Sequence, residues 1–434
     1  VRRAWLFILI GIACLVLALI TGRDLFYNMV YLIGLMLVFS FLWTWLSISS
    51  VRLARRTRSR RSAVGKVAEE SFTVVNTGFL PKVWLEVHDH STLPHHHVSQ
   101  VLNALLPKRR RHWAVRTICR RRGQFRLGPV TLASGDPLGL FKFTRELEAT
   151  SSMVVYPAVI SIPSFVPPLG QLPGGDAVRR RTHHITTNVS GVRDYAPGDS
   201  FNRIHWRSTA RTGRLIVKEF ELDPTADIWI FPDMYSRVQH SLPIAEQEFE
   251  DLWLAIMRGT RRSEIELDPS TEEYAVTAAA SVAQHFVHRE RAVGMIAYGQ
   301  SREVLQPDRG HRQLTKILET LAMIRAQGEV PFHQVLLSEG ERLGRGVTLV
   351  IITPSLDRSW VAATRDLTRR GIRIVVILID PASFGGPGGS EQILFELRAS
   401  SIPTYLVHNG DDLTQALSQH STLRQGAFSQ PSAR

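Results

Sequence analysis

The sequence predicts three structural units in series: a two-helix transmembrane hairpin, a small β-sandwich, and a C-terminal α/β domain on a parallel sheet. Three observations predict them. Residues 4–20 and 25–50 carry no charge, and a helix needs about 20 apolar residues to cross the hydrocarbon core of a bilayer. From 70 to about 157, short runs of β-branched and aromatic residues alternate with turn signals. From 226 onward, continuous apolar runs alternate with helical patterns, the mark of a parallel sheet covered on both faces. With 434 residues the chain is too long for a single core.

Between the two apolar segments, Thr21-Gly22-Arg23-Asp24 reads as a turn, which makes them a hairpin. Trp5, Tyr27, Tyr31, Trp43 and Trp45 are candidate interfacial anchors. Arg2 and Arg3 before an apolar run also suit a cleaved signal peptide, but no small-residue cleavage site precedes Arg23 and a second apolar segment follows at once. Arg2 and Arg3 ahead of the first helix, and the arginines after the second, put both ends inside by the positive-inside rule. The expectation is a multi-pass membrane anchor, with the soluble part in the cytoplasm.

Lys and Arg number 52 against 39 Asp and Glu. Such a surplus suits nucleic acid, an anionic membrane or an acidic partner. The first cluster, Arg52, Arg55, Arg56, Arg58, Arg60, Arg61 and Lys66, follows the second apolar segment and suits lipid headgroups. Two further clusters lie at 108–111 with 120–122, and at 179–181. No aromatic-interleaved or zinc-finger pattern accompanies them, so nucleic acid is not the expected partner. The two cysteines, Cys14 in an apolar segment and Cys119 in a soluble strand, exclude a disulfide framework.

In the β-rich region, 71–75, 82–87 and 112–116 read as strands, and Asn76-Thr77-Gly78 and Leu127-Gly128-Pro129 as turns. His88, His90, His95, His96 and His97 raise a zinc or copper hypothesis. No carboxylate or thiolate completes a set in sequence, and 94–97 reads as an exposed polar loop.

A Pro/Gly-rich stretch at 163–175 reads as a linker or long loop. The densest segment follows, from Gly191-Val192-Arg193-Asp194-Tyr195-Ala196-Pro197-Gly198-Asp199-Ser200 through Phe201-Asn202-Arg203-Ile204-His205-Trp206-Arg207-Ser208-Thr209-Ala210-Arg211. Pro197-Gly198 sets a tight turn, Asp199 or Ser200 is placed to cap a short helix, and Ile204 and Trp206 are candidates for burial. Arg193, Arg203, Arg207, Arg211 and Lys218 face Asp194, Asp199, Glu219 and Glu221 as an expected ion-pair cluster.

This segment resembles the signature of the bacterial family catalogued as domain of unknown function 58, R-x-Y-x-x-G-D-x-x-R-x-I-x-W-x-x-[ST]-A-R. Arg193, Tyr195, Gly198, Asp199, Arg203, Ile204, Trp206, Thr209, Ala210 and Arg211 match it, with Arg203 and Ile204 adjacent where the pattern has one residue between them. A second element also resembles the family: Arg121-Arg122-Gly123 into Gly128-Pro129, then Asp136-Pro137-Leu138-Gly139-Leu140-Phe141. The resemblance implies a von Willebrand factor A-like (Rossmann-like) C-terminal domain and partnership with a MoxR-type AAA+ ATPase in complex assembly or envelope maintenance. It implies no catalytic activity and no cofactor. The signature would then serve as a docking surface, or as a clamp between domains.

In the C-terminal domain, 226–231, 292–298, 347–353, 372–379 and 403–407 are the expected strands. Pro269-Ser270-Thr271-Glu272-Glu273 is a capping box opening a helix through His288, and further helices are expected at 312–324, 359–370 and 391–399. Residues 233–268 form an insertion, helical around 249–257. A von Willebrand factor A-like domain would bind a divalent cation with a D-x-S-x-S loop after its first strand. Here Asp233 keeps the aspartate, but Tyr235 and Arg237 take the serine places, and Thr353-Pro354-Ser355-Leu356-Asp357 lacks the usual T-D-G arrangement. No metal is expected, and Asp233 is the one retained candidate.

There is no phosphate loop at Gly385-Gly386-Pro387-Gly388-Gly389, no nucleophile elbow and no H-E-x-x-H helix. The Asn188-Val189-Ser190 sequon matters only outside the cell. The expected boundaries are 1–50 for the hairpin, 51–69 for a basic juxtamembrane segment and 70–160 for the β-sandwich. A linker and signature segment at 161–225, the α/β domain at 226–420 and a disordered tail at 421–434 complete them. The expected function is a non-enzymatic membrane adaptor or scaffold. Its alternatives are a metal-dependent envelope enzyme using the rim near Asp233, and a nucleic-acid-binding membrane protein.

Overall fold

A computed structural model describes residues 2–165, 189–196, 201, 204–220, 227–243 and 267–418. The basic cluster at 179–181, the expected helix near 249–257, the tail, and Gly198, Asp199 and Arg203 of the signature lie outside the described residues.

Helix α1 spans Arg2–Thr21 and α2 spans Asp24–Ser49. Both are long and apolar enough to cross a membrane. Gly22 breaks the helix with φ +63°, a conformation that ends helices without the strain a Cβ would add.

Strand β1 (Val51–Thr57) follows α2 directly, so the chain passes from helix to sheet with no tether. Strand β2 is Arg61–Ala63, β3 Val67–Asn76, β4 Lys82–Asp89, β5 Gln100–Leu105 and β6 Arg110–Ile118. Strand β7 is Gly123–Leu127, β8 Val130–Gly135, β9 Lys142–Leu147 and β10 Ser151–Tyr156. They form three sheets, in the orders β1-β3-β6, β5-β4-β8-β9 and β2-β10-β7. Burial alternates residue by residue along β3, the period of a strand with one face inward. Val51, Val74, Leu85, Val87, Leu102, Val130 and Leu132 join the first two sheets in one apolar core. The segment expected to be a basic juxtamembrane stretch is therefore already sheet. Arg55 points inward, and its side chain is 4% exposed.

A two-stranded ribbon follows, β11 (Val189–Asp194) paired antiparallel with β12 (Ile216–Phe220), with α3 (Trp206–Thr212) between them. The last unit is a six-stranded sheet of β13 (Ile228–Pro232), β14 (Val293–Tyr298), β15 (Arg302–Asp308), β16 (Thr348–Thr353), β17 (Arg373–Ile379) and β18 (Thr404–Val407). Its order is β15-β14-β13-β16-β17-β18, all parallel except the edge strand β15. The helices are α4 (Thr271–Val287), α5 (His311–Met323), α6 (Phe332–Gly340), α7 (Arg358–Arg369), α8 (Ser390–Ala399) and α9 (Leu413–Ala416). Alternate strand residues feed two cores: Ile228, Ile230, Val350 and Ile352 pack with α4 and α5, and Trp229, Phe231, Leu349 and Ile351 with α6, α7 and α8. Both faces of the sheet are thus covered, which is why its strands read as unbroken apolar runs.

Ile162 and Phe165 are also buried in the first of these cores, Phe165 against Phe286 and Tyr405. The start of the stretch expected to be a linker is therefore part of the α/β unit.

Candidate functional site

Parallel sheets place their loops for chemistry at the carboxyl ends of the strands. Asp233 follows β13 there and is 1% exposed. Its Oδ2 accepts from Thr353 Oγ1 at 2.6 Å and its Oδ1 from the Tyr235 N–H at 3.0 Å. The Ser355 N–H donates in turn to Thr353 Oγ1 at 2.9 Å. Burial pushes the Asp233 carboxyl up to about 6, against the opposing pull of the Thr353 and Tyr235 hydrogen bonds. Both carboxylate oxygens are thus turned to protein donors, while Arg237 and Ser236 are exposed beside them. The donor set does not fit a divalent cation, which needs several oxygens free to converge on it. Among the described residues, no group of three His, Cys, Asp or Glu is placed to hold a metal ion.

The sign of the Asp233 shift gives a pH prediction. The folded pKa lies above the ordinary 3.8, so the native state holds the extra proton between these values. Stability should fall as pH rises from about 4 to about 6, by roughly 3 kcal/mol at most, and then level. Melts of Asp233→Asn should lack this decline. An unchanged slope in the variant would show that Asp233 is not the group responsible.

The signature residues build the ribbon and its helix. Ile204 is 3% exposed and bridges to Val217, as expected. Trp206 is not buried: it is 66% exposed at the start of α3, with Phe201 at 69%. The N-cap of α3 is His205, which accepts from the Ser208 N–H; Asp199 and Ser200, the expected caps, lie outside the described residues. Gly213 closes the helix in the left-handed region. Thr209 Oγ1 accepts from the Ile216 N–H, tying α3 to β12. Tyr195 stacks on Phe201 with centroids 6.1 Å apart. Arg193, Arg207 and Arg211 are exposed. Trp206, Arg207 and Arg211 thus face outward, while Asp199 and Glu221 of the expected ion-pair cluster lie outside the described residues.

The second motif does a different job at each of its ends. At one end, Arg122, fully buried, reaches from the β-unit into the α/β unit. Its Nε donates to the Leu321 carbonyl at 3.0 Å and its Nη2 to that of Ile324 at 2.9 Å. The guanidinium also pairs with Glu272 and Glu273, in the first turn of α4. Arg325 returns a hydrogen bond to the Arg122 carbonyl at 2.9 Å, and Gly123 lies beside it. The capping-box glutamate thus serves a cation from another unit, while Ser270 caps the helix by accepting from the Glu273 N–H. Gly128, at φ +87°, lies where a Cβ would meet the Ala149 carbonyl oxygen at 2.5 Å, so only glycine suits the turn into Pro129.

At the other end, Asp136 is 1% exposed and organises the turn between β8 and β9. Its carboxylate accepts from the Leu138 and Phe141 N–H groups at 3.0 and 2.7 Å, and from Ser40 Oγ of α2 at 2.5 Å. Pro137 and Gly139 form the exposed tip. Phe141 and Phe143 meet Phe41 edge-on. One motif therefore runs from the helix hairpin to the α/β unit.

Within the loop at 94–97, read as exposed, His96 is the exception. The His96 side chain is 1% exposed, 2.9 Å from Glu70 and 3.8 Å from Asp89. Sequence spacing did not bring these carboxylates to it; strand pairing does. Both ring nitrogens are engaged, one with Glu70 and the other with Thr117 at 2.7 Å. His88 and His90 bond to Glu86 and Thr131, and His95 and His97 are exposed. The two cysteines are free, as their placement in sequence suggested.

Known proteins bear on this arrangement in three ways. The Bacillus subtilis protein described as "Uncharacterized protein YeaD" is 22% identical over 236 residues, covering 54% of this chain and 51% of that protein, so the match spans about half of the relative's length. Among solved structures, a CARDB domain from Pyrococcus furiosus is 16% identical, with 24% of this chain and 86% of that chain covered, at a TM-score of 0.19. The alkylpurine DNA glycosylase AlkC of Pseudomonas fluorescens is 15% identical, with 32% and 42% covered, at a TM-score of 0.17. Likeness at that level carries no argument about fold or function. Residues 191–387, from the signature ribbon through most of the α/β unit, match the family model described as "Protein of unknown function DUF58", the family whose signature the sequence resembles.

Proposed function

We propose that this chain is a non-enzymatic, membrane-anchored adaptor that presents its signature ribbon to a protein partner. The observation that carries this reading is the outward placement of Trp206, Phe201, Arg207 and Arg211 on a ribbon whose backbone is secured by Ile204, Thr209 and Gly213. Exposed Trp, Tyr and Arg are the residue types that dominate binding at protein interfaces. In this reading α1 and α2 span a bacterial inner membrane, the soluble units face the cytoplasm, and the sheets of the β-unit form a sandwich. The α/β unit is von Willebrand factor A-like, with its cation loop degenerate at Tyr235 and Arg237. The partner is a MoxR-type AAA+ ATPase, as the signature's resemblance implies. Arg52 and the run Lys108 to Arg111, exposed at the end of α2, support the cytoplasmic orientation.

The test is a tagged pull-down of the full chain from gently solubilised membranes. An AAA+ ATPase should co-purify with the wild type. A hot-spot tryptophan contributes at least about 2 kcal/mol, so Trp206→Ala should weaken recovery by roughly 30-fold while leaving the thermal melt unchanged. Undiminished recovery by the Trp206→Ala chain would remove the ribbon as the docking surface. Absence of any ATPase, even with crosslinking and added nucleotide, would remove the adaptor reading itself.

A further inference from the structure

Three turns of the β-unit gather around the last turns of α2. Ser50, which ends the helix, accepts through its carbonyl from the Thr77 N–H at 2.9 Å and from Thr77 Oγ1 at 2.8 Å. Buried Lys82 donates to Ser50 Oγ at 2.8 Å and to the Leu46 carbonyl at 3.4 Å, placing a cation at the negative end of the helix. Asn76 ties the 77–81 turn to the 106–109 turn, donating to the carbonyls of Leu80, Leu105 and Leu106. The third turn, at Asp136, bonds to Ser40. Arg145 Nη1 donates to the Ser49 carbonyl at 3.3 Å.

The tips of these turns are apolar and exposed: Phe79 at 72%, Leu106 at 56% and Leu138 at 53%. Around them lie Arg52, Lys108, Arg109, Arg110, Arg111 and Arg145, all exposed. Register puts Arg52 and Arg110 on either side of Val75, at the same end of the sheet. Apolar tips within a basic ring form a surface suited to lying in an anionic membrane interface.

Helix length sets the third turn at the membrane boundary. Asp24 to Phe39, the part of α2 ahead of the contact with Asp136, has sixteen residues and so spans about 24 Å. The hydrocarbon core is about 30 Å thick. If α2 crosses it, Ser40 and the Asp136 turn beside it lie at or just inside the edge of the core. No flexible residue intervenes before β1 to lift the β-unit away.

We infer that this end of the β-unit is a membrane-docking surface: Phe79, Leu106 and Leu138 enter the interface of the leaflet at which α2 ends, and the surrounding arginines and lysine bind anionic headgroups. The inference rests on the membrane-spanning reading of α1 and α2, and the experiment separates the two. The full chain, with Cys14→Ser and Cys119→Ala, is reconstituted in vesicles of phosphatidylcholine with or without 30 mol% phosphatidylglycerol. Single cysteines at Leu35→Cys in α2, at Phe79→Cys, Leu106→Cys and Leu138→Cys, and at Phe395→Cys on α8 as a water-exposed control carry nitroxide labels. Accessibility to oxygen and to a water-soluble nickel chelate reports depth, and thermal melts confirm folding.

The expected result is a deep label at 35, interfacial labels at 79, 106 and 138, and a water-exposed label at 395. On vesicles with phosphatidylglycerol, changing Lys108, Arg109, Arg110 and Arg111 together to alanine should raise nickel accessibility at 79 and 106 several-fold. Water-exposed labels at 79, 106 and 138 with a deep label at 35 would overturn the docking surface and leave the span intact. A water-exposed label at 35 would overturn the span, and the inference with it. Equal depths with and without phosphatidylglycerol, unmoved by the quadruple change, would overturn the headgroup contact.

Discussion

Arg122→Ala is expected to destabilise the chain beyond α2 by about 3–5 kcal/mol and to uncouple its two large units. The guanidinium is fully buried, and its removal leaves Glu272, Glu273 and the carbonyls of Leu321 and Ile324 facing a void. Breaking a buried pair from one side costs that much because the remaining charge stays desolvated. Arg325, at 3.7 Å from both glutamates, offsets part of the loss. Burial already pushes the Glu273 carboxyl up despite Arg122, so in the variant it should take up a proton at still higher pH. Arg122→Lys should lie between wild type and alanine, since an ammonium restores the charge but not the planar fork that reaches two carbonyls and two carboxylates together. Calorimetry should show one transition in the wild type and two in the alanine variant, with the α/β unit melting apart from the β-unit. A single transition shifted by only a degree or two would mean that the apolar contacts alone carry the coupling. Tyr156, whose hydroxyl donates to Glu319 at 3.2 Å, and Arg121, 3.4 Å from Asp268, are peripheral by comparison.

The clamp also shows where sequence reasoning stops. All five expected parallel strands of the α/β unit appear within about two residues, because each is buried on both faces and so reads as an apolar run. The antiparallel edge strand β15 was not legible: three of its seven residues are exposed and none is buried, and Pro307 within it speaks against a strand. Helix α6 is nine residues long, too short for its period to stand out. Strand β1 was hidden by its arginines, since the inward position at Arg55 carries a charge where an alternating strand would carry an apolar residue. Trp206 was misplaced for the opposite reason. Hydrophobicity alone assigns it to a core, whereas the ribbon has room to bury Ile204 but not an indole on the next turn.

Both motifs could be recognised in sequence, but not their geometry. Arg122 meets glutamates 150 residues further on, and Asp136 meets a serine 96 residues back. Spacing within a motif carries no information about partners at such a distance. The hairpin, by contrast, was legible to within two or three residues at each end, since a long uncharged run and a Gly-containing turn are both local signals.

Glu70→Ala should cost the β-unit a similar amount, about 3–5 kcal/mol, because Glu70 is the hub of a buried polar cluster. Arg55 Nη2 lies 2.6 Å from Glu70 Oε2, His96 Nε2 lies 2.9 Å from the same oxygen, and Thr57 Oγ1 donates to Oε1 at 2.8 Å. Asp89, 3.0 Å from Arg55 Nη1, would be left as that arginine's remaining acidic partner. Burial by itself would raise the Glu70 carboxyl, but hydrogen bonds from His96, Arg55 and Thr57, with the Arg55 charge, bring it down from 4.5 to about 2. A folded pKa below the unfolded one means that the unfolded chain binds more protons between those two values. The stabilisation is therefore complete above about pH 4.5 and is lost as pH falls towards 2, amounting to roughly 3 kcal/mol over that window. Acid titration of stability, followed by near-ultraviolet circular dichroism of wild type and Glu70→Gln, isolates this contribution. The glutamine variant should be less stable at pH 7 and lose less between pH 4.5 and 2. Parallel acid profiles would assign the loss to other carboxylates, with Asp89 the next to test. The Asp233 shift has the opposite sign, so the two buried acids divide the pH axis between them: Glu70 penalises low pH and Asp233 penalises neutrality.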